Sequence, residues 1–137
     1  LVAVRQADAA AAAPRRVAPD PAALLADVTA RAAIPFVHRE NAFVDFDRER
    51  LMPRMLSTEG PALAADDVDG DGLDDLYLGG AKGQPGALLV QRAGGRFAAS
   101  NPGLFERDAA SEDVGATFFD ADNDGDLDLY VVSGGNE

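Results

Sequence analysis

The sequence predicts an all-β fold built on a repeated strand–loop–strand unit, preceded by a short irregular or helical N-terminal segment. Three observations carry that expectation. Short apolar runs are interrupted by turn residues roughly every 8–12 positions, the rhythm of all-β structure. Two nine-residue windows, DVDGDGLDD at 67–75 and DADNDGDLD at 120–128, each hold five aspartates in nearly the same pattern. Each window follows one apolar run and precedes another that stops at Gly-Gly, so the whole unit occurs twice.

Residues 1–20 are rich in Ala and punctuated by Pro14 and Pro19. They read as a low-complexity lead-in or linker; a short helix over 2–13 is the other reading, and it would need tertiary support. Asp20-Pro21 resembles a helix start, an N-cap followed by proline at the first helical position. A helical turn over 22–31 follows, and Pro35 ends it. FVHRENAFVDF (36–46) mixes aromatic and β-branched residues and is expected to be extended. RERLMPRML (48–56) reads as a short helical turn broken at Pro53, and STEGPA (57–62) as a turn. Residues 21–59 thus form an inter-repeat segment with a short helix and a strand.

Strands follow in quick succession. Residues 61–65 lead into the first acidic window, and 76–78 leave it and stop at Gly79-Gly80. Pro85-Gly86 introduces an apolar run at 87–91, Gly94-Gly95 makes a tight turn, and 96–98 continue. Asn101-Pro102-Gly103 reads as a loop. Residues 114–119 lead into the second window, and 127–132 leave it and stop at Gly134-Gly135.

From Asp67 to Asp120 is 53 residues, close to the roughly 40–50-residue period of propeller blades. About four strands, one blade's worth, fit between the windows. The reading is therefore a β-propeller fragment: repeats over 60–137, with a blade at 60–112 and a partial blade at 113–137. A closed ring needs roughly 4–8 blades, so the remaining blades are expected in a longer protein. Residue 1 is Leu and no charged start with an apolar run follows it, which also makes the chain read as a fragment or processed product.

Composition narrows the partners. Apolar residues make up 47% of the 137, enough for a packed core. The net charge of −12 argues against nucleic acid, which needs a basic footprint. Ten of the 24 acidic residues lie in the two windows, so the acidity is local. Cysteine is absent, which excludes disulfides and thiolate metal sites. No apolar run reaches the roughly 18 residues of a membrane span.

Aligned on their glycines, the windows share Asp at positions 1, 3, 5 and 9: Asp67, Asp69, Asp71 and Asp75, then Asp120, Asp122, Asp124 and Asp128. Position 6 is Gly72 or Gly125, free to take the positive φ that curls the chain about a centre. Position 7, Leu73 or Asp126, can then offer its backbone carbonyl. Converging carboxylates repel one another unless a cation lies between them. Calcium takes roughly six to eight oxygens in flexible geometry, magnesium prefers tighter octahedral cages, and zinc would want His or Cys. Two calcium sites are the expectation; a solvated acidic turn without metal is the alternative. An EF-hand would need Glu at position 12, where Leu78 and Val131 stand, and helical flanks instead of strand-like ones.

The pattern D-x-D-x-D-G-x-x-D resembles the loop of the FG-GAP or VCBS repeat family, the calcium-binding blades of integrin-alpha-type β-propellers. GPALAADDVDGDGLDDLYLGG and FFDADNDGDLDLYVVSGG resemble its strand–loop–strand core. ADVTARAAIPFVHREN resembles a segment found between repeats in bacterial exported proteins related to cartilage acidic protein, which carry an ASPIC/UnbV domain. The resemblance covers about residues 60–135. It implies a propeller module with structural calcium that binds an extracellular protein or glycan, or serves adhesion, in an extracellular, cell-surface or periplasmic setting. Calcium loops of this open type work at roughly millimolar calcium, which fits that setting. The alternative is the propeller scaffold of a secreted enzyme whose active site lies mostly elsewhere; no catalysis is expected from this chain.

Other residues compete for a role. His38, the single histidine, with Glu40 would form a base and its orienter, but a polar structural contact is the expectation because no nucleophile signature is near. Asp45 and Asp47 would share one face of a strand, as an acid/base pair or as partners of Arg48 or Arg50. GGAKGQPG (79–86) lacks the phosphate-binding spacing and reads as a hairpin loop, with Lys82 and Gln84 as candidates for partner contact.

Overall fold

The computed structural model describes residues 25–58 and 60–135. The expected lead-in at 1–20 and the Asp20-Pro21 helix start lie outside the described residues. Six strands, three one-turn α-helices and a 3-10 turn at Glu106–Asp108 make up the regular structure described. The fold is all-β, as the strand rhythm predicts.

Strands β1 (Leu63–Asp66), β2 (Asp75–Leu78), β3 (Ala87–Arg92) and β4 (Arg96–Ser100) form an antiparallel meander in the order β1-β2-β3-β4. Strands β5 (Glu112–Phe119) and β6 (Asp128–Gly134) form a separate antiparallel pair. Register places Ala64 opposite Tyr77 and Leu76 opposite Leu89 in the first sheet, and Thr117 opposite Tyr130 in the second. Each acidic window is the connection of one hairpin: 67–74 between β1 and β2, 120–127 between β5 and β6.

The core gathers on the central strands of the meander, with Tyr77, Leu89 and Val90 buried beside Ala64 and Ala81. The two sheets meet where β5 packs beside β1. Asp113 of β5 seals that junction. Its Oδ2 accepts the Tyr77 hydroxyl at 2.8 Å and the Gly80 amide at 2.9 Å, while its own amide donates to the Gly80 carbonyl at 2.9 Å. Burial and the adjacent Asp113 carboxylate push the Tyr77 phenol well above its ordinary pKa. Close approach leaves no room for side chains here: a Cβ on Gly86 would overlap the Tyr77 hydroxyl.

The structure corrects four expectations. The helix expected over 22–31 is, among described residues, confined to α1 (Thr29–Ala32). Asp27 Oδ1 accepts the Thr29 amide at 3.0 Å and holds the chain in a local turn until that point. That bond also lowers the Asp27 pKa. Ala33, with φ of 49°, ends the helix before Pro35 is reached.

The stretch 36–46 forms no strand. It runs as an irregular strap into α2 (Asp45–Arg48), so Asp45 and Asp47 sit on a helical turn and do not share a strand face. The reason is a buried pair: Asp45 Oδ2 accepts both the Ser57 amide at 3.1 Å and the Ser57 hydroxyl, and both residues are 1% exposed. The helical turn expected over 48–56 accordingly comes earlier and ends at Arg48, leaving only a turn at Arg50 and Leu51. Finally, Asn101-Pro102-Gly103 opens α3 (Pro102–Phe105). Asn101 takes a left-handed conformation (φ 47°) and Pro102 fills the first turn, where its missing N–H costs nothing.

Candidate metal centres

The same hydrogen-bond skeleton builds both acidic loops. In the first, Asp67 Oδ1 accepts the Asp71 amide at 3.1 Å and Oδ2 accepts the Gly72 amide at 2.8 Å. Asp71 Oδ1 accepts the Leu73 amide at 2.9 Å, and Asp75 Oδ2 accepts the Val68 amide at 3.2 Å. In the second, Asp120 accepts the Asp124 amide at 3.1 Å and the Gly125 amide at 3.0 Å. Asp124 accepts the Asp126 amide at 2.9 Å, and Asp128 accepts the Ala121 amide at 2.9 Å. Position 1 therefore ties to 5 and 6, position 5 to 7, and position 9 to 2, twice over.

The curl needs left-handed backbone at two places. Gly72 and Gly125 have φ of 84° and 94°, as their position in the pattern requires. Position 4 is also left-handed, at Gly70 (φ 73°) and Asn123 (φ 63°). That explains the one substitution between the windows that is otherwise odd, since asparagine tolerates this region better than most side chains. The sequence carried this signal, Gly against Asn at one position, and the reading of positions 1, 3, 5, 6, 7 and 9 passed over it.

The curl brings positions 1, 3 and 5 together. One carboxylate oxygen from each of Asp67, Asp69 and Asp71 lies within 4.8 Å of the others, and Asp120, Asp122 and Asp124 do the same. Such spacing suits oxygen ligands around one hard cation, and no nitrogen or sulfur donor belongs to either cluster. Position 9 stands behind the triad. Asp75 is fully buried, and its Oδ1 accepts the Gln91 amide of β3 at 2.7 Å. Asp128 is exposed. Leu73 and Asp126 engage their loops through the backbone N–H. Arg92 reaches Asp69 Oδ2 at 3.2 Å in the first loop, and the aspartate at the same position of the second loop, Asp122, instead accepts the Asp124 amide at 3.2 Å.

Strand flanks on both loops, with Leu78 in β2 and Val131 in β6 at position 12, rule out EF-hand geometry. The remaining candidates sit apart from the loops. His38 Nδ1–H donates to the Gly79 carbonyl at 3.1 Å, and its Nε2 meets Glu40 Oε1 at 2.7 Å, so both ring nitrogens are engaged. Asp45 holds Ser57. Lys82 is exposed on its loop, whereas Gln84 is engaged by the strap at 37–39. Asp113 and the Asp45–Ser57 pair were missed by sequence reasoning, because nothing local marks a carboxylate whose partners lie far along the chain.

A comparison with protein-family models matches residues 67–131 to the FG-GAP-like repeat, a span that opens on the first aspartate of the first loop and runs past the second loop into β6. Neither the curated proteins nor the solved structures give a match.

Proposed function

We propose that this chain is a calcium-binding β-propeller repeat module whose metal is structural. The observation that carries the reading is the duplicated skeleton: two loops of different sequence share the same set of backbone-to-carboxylate bonds and each gathers three carboxylate oxygens within 4.8 Å. Asp67, Asp69 and Asp71 would hold one calcium, and Asp120, Asp122 and Asp124 the other, with Leu73, Asp75, Asp126 and Asp128 as further oxygen donors. The ion would offset the mutual repulsion of the triads and pin each hairpin turn. The FG-GAP-like match supports the repeat module.

The role this implies is binding, of an extracellular protein or glycan or in adhesion, at the cell surface, in the periplasm or outside the cell. Open loops of this kind fill at roughly millimolar calcium, the extracellular range. Among the described residues no helix is long and apolar enough to cross a membrane. The narrower kinship with exported proteins related to cartilage acidic protein rests on residues 26–41, which lie outside the matched span. The enzyme-scaffold alternative finds no supporting constellation among the described residues, since His38 and Asp45 are both engaged in structural contacts.

Thermal melting with calcium and with EGTA tests the proposal. At a calcium concentration about 100 times the dissociation constant, one site adds about 2.7 kcal/mol, a rise of roughly 10 °C for a domain of this size. Identical melting under the two conditions would sink it.

A further inference from the structure

Tyr77 and Asp113, which seal the junction between the two sheets, also line a cavity of about 360 Å³ to which the acidic loops contribute no residue. Its walls are mostly apolar, and they come from both sheets and from the segment between them. Leu88 stands on β3, and Leu104 and Phe105 on α3, which packs against β3. Leu129 and Val131 are the half-buried positions of β6, alternating with exposed Tyr130 and Val132, so β6 turns one face to the cavity. The Tyr77 and Phe105 rings lie 5.4 Å apart between centroids, tilted by 48°.

Two carboxylates interrupt this apolar lining, Asp108 and Asp113, and no lysine, arginine or histidine joins them. Arg107, next to Asp108 in sequence, lines a separate surface hollow with Asn101, Gly103 and Leu104. The charge on the cavity wall is therefore negative alone. Both acids act in one space, since each adds to the electrostatic push on the Tyr77 phenol. Asp113 is 5% exposed, and the hydrogen bonds from Tyr77 and Gly80 both fall on its Oδ2. Among the described residues none reaches its Oδ1. A carboxylate oxygen left without a donor at such depth is costly. An ammonium group supplies the missing donor and the opposite charge together. The two aromatic rings attract a cation further, and the apolar walls suit the body that carries it.

We propose that this cavity is a binding site for a small organic cation, an ammonium group borne on an apolar body of about the size of one aromatic ring. The ammonium sits between Asp108 and Asp113, and the body lies against Leu88, Leu129 and Val131. Leu104, 59% exposed, marks the mouth. The site stands apart from the calcium reading, because it shares no residue with either triad.

The test is isothermal titration of the full chain with phenethylammonium, against neutral phenethyl alcohol and anionic hydrocinnamate. Calcium at roughly millimolar concentration keeps the amine from the acidic loops. The amine is expected to bind at one site, at least about tenfold tighter than the alcohol, and the anion not to bind. Asp108→Asn is expected to weaken the amine about threefold, and Leu104→Trp, which puts an indole in the mouth, to abolish binding. Both positions are exposed, so the Tyr77–Asp113 seal stays intact. Absence of saturable binding, equal affinity for amine and alcohol, or affinity unchanged by Leu104→Trp would each overturn the proposal. Should a variant unfold, methyl NMR of the wild type decides. Amine-induced shifts at Leu88, Leu129 and Val131 support the site, and shifts that miss all three overturn it.

Discussion

The two acidic loops share a pattern and a hydrogen-bond skeleton, but they differ in what stands behind them. Behind the first is a four-stranded sheet. Asp75 is fully buried and takes a second amide, from Gln91 of β3, and Tyr77 is 2% exposed with its hydroxyl on Asp113. Behind the second, among the described residues, is a two-stranded pair. Asp128 is exposed with one amide, and Tyr130, the counterpart of Tyr77, is 57% exposed and rests edge-on against Phe119 at 6.5 Å. The cage is therefore a local object, written in nine residues and formed whether or not the sheet is filled out. Burial of position 9 and of the tyrosine is non-local: it needs a third strand on one side and a neighbouring sheet on the other.

The largest expected difference tests that division at position 9. Asp75→Ala strands two amides, one of them in the centre of the sheet, and should cost about 3 kcal/mol in urea unfolding. Asp128→Ala strands one exposed amide, which water can serve, and should cost about 1 kcal/mol or less. Equal costs would mean that the filled sheet adds nothing to the loop. The tyrosines come next. Tyr77→Phe removes a buried hydrogen bond to a carboxylate, a loss of about 2 kcal/mol, while Tyr130→Phe should leave unfolding within about 0.5 kcal/mol of wild type. A comparable loss at both would show that Tyr130 has a buried partner.

Where the comparison predicts sameness, it can also be broken. Gly72→Ala and Gly125→Ala each force a Cβ into left-handed backbone, at about 1–2 kcal/mol, and under the proposed calcium reading each should weaken binding at its own loop in isothermal titration. The two penalties should agree, because the φ values and the local bonds agree. A twofold disparity would mean that the sheet behind the loop shapes the turn as well.

The same division explains what was legible in the sequence. Positions 1, 3, 5 and 6 of each window could be read because the loop closes on itself, and the strands around them because turn residues bracket each apolar run. Asp113 could not be read: its partners, Tyr77 and Gly80, lie 36 and 33 residues away. The strap at 36–46 was misread as a strand because β-branched and aromatic residues fit a groove as well as a sheet, and propensity does not distinguish them. Asp45 and Asp47 looked like neighbours on one strand face until Ser57, 12 residues on, drew Asp45 inward.

The smallest effect separates stability from affinity. Arg92 pairs with Asp69 at 3.2 Å, on side chains 58% and 36% exposed, and the second loop has no such arginine among its described contacts. An exposed pair of this kind contributes about 0–1 kcal/mol, so Arg92→Ala should barely move unfolding in EGTA. Its effect on the metal should run the other way. A guanidinium on Asp69 would compete with a cation for the same carboxylate and add like charge beside the proposed site, so if the first loop holds calcium as proposed, removing it should tighten that binding by about two- to threefold, most clearly at low salt. The second loop should be unmoved, which makes it the internal control within the same molecule. Titration of Arg92→Ala that weakens the first site would instead show that the arginine orients Asp69 toward the ion. The contact from β3 at position 3, which the second loop replaces with a local bond from Asp124, would then be part of how the first loop gathers its carboxylates.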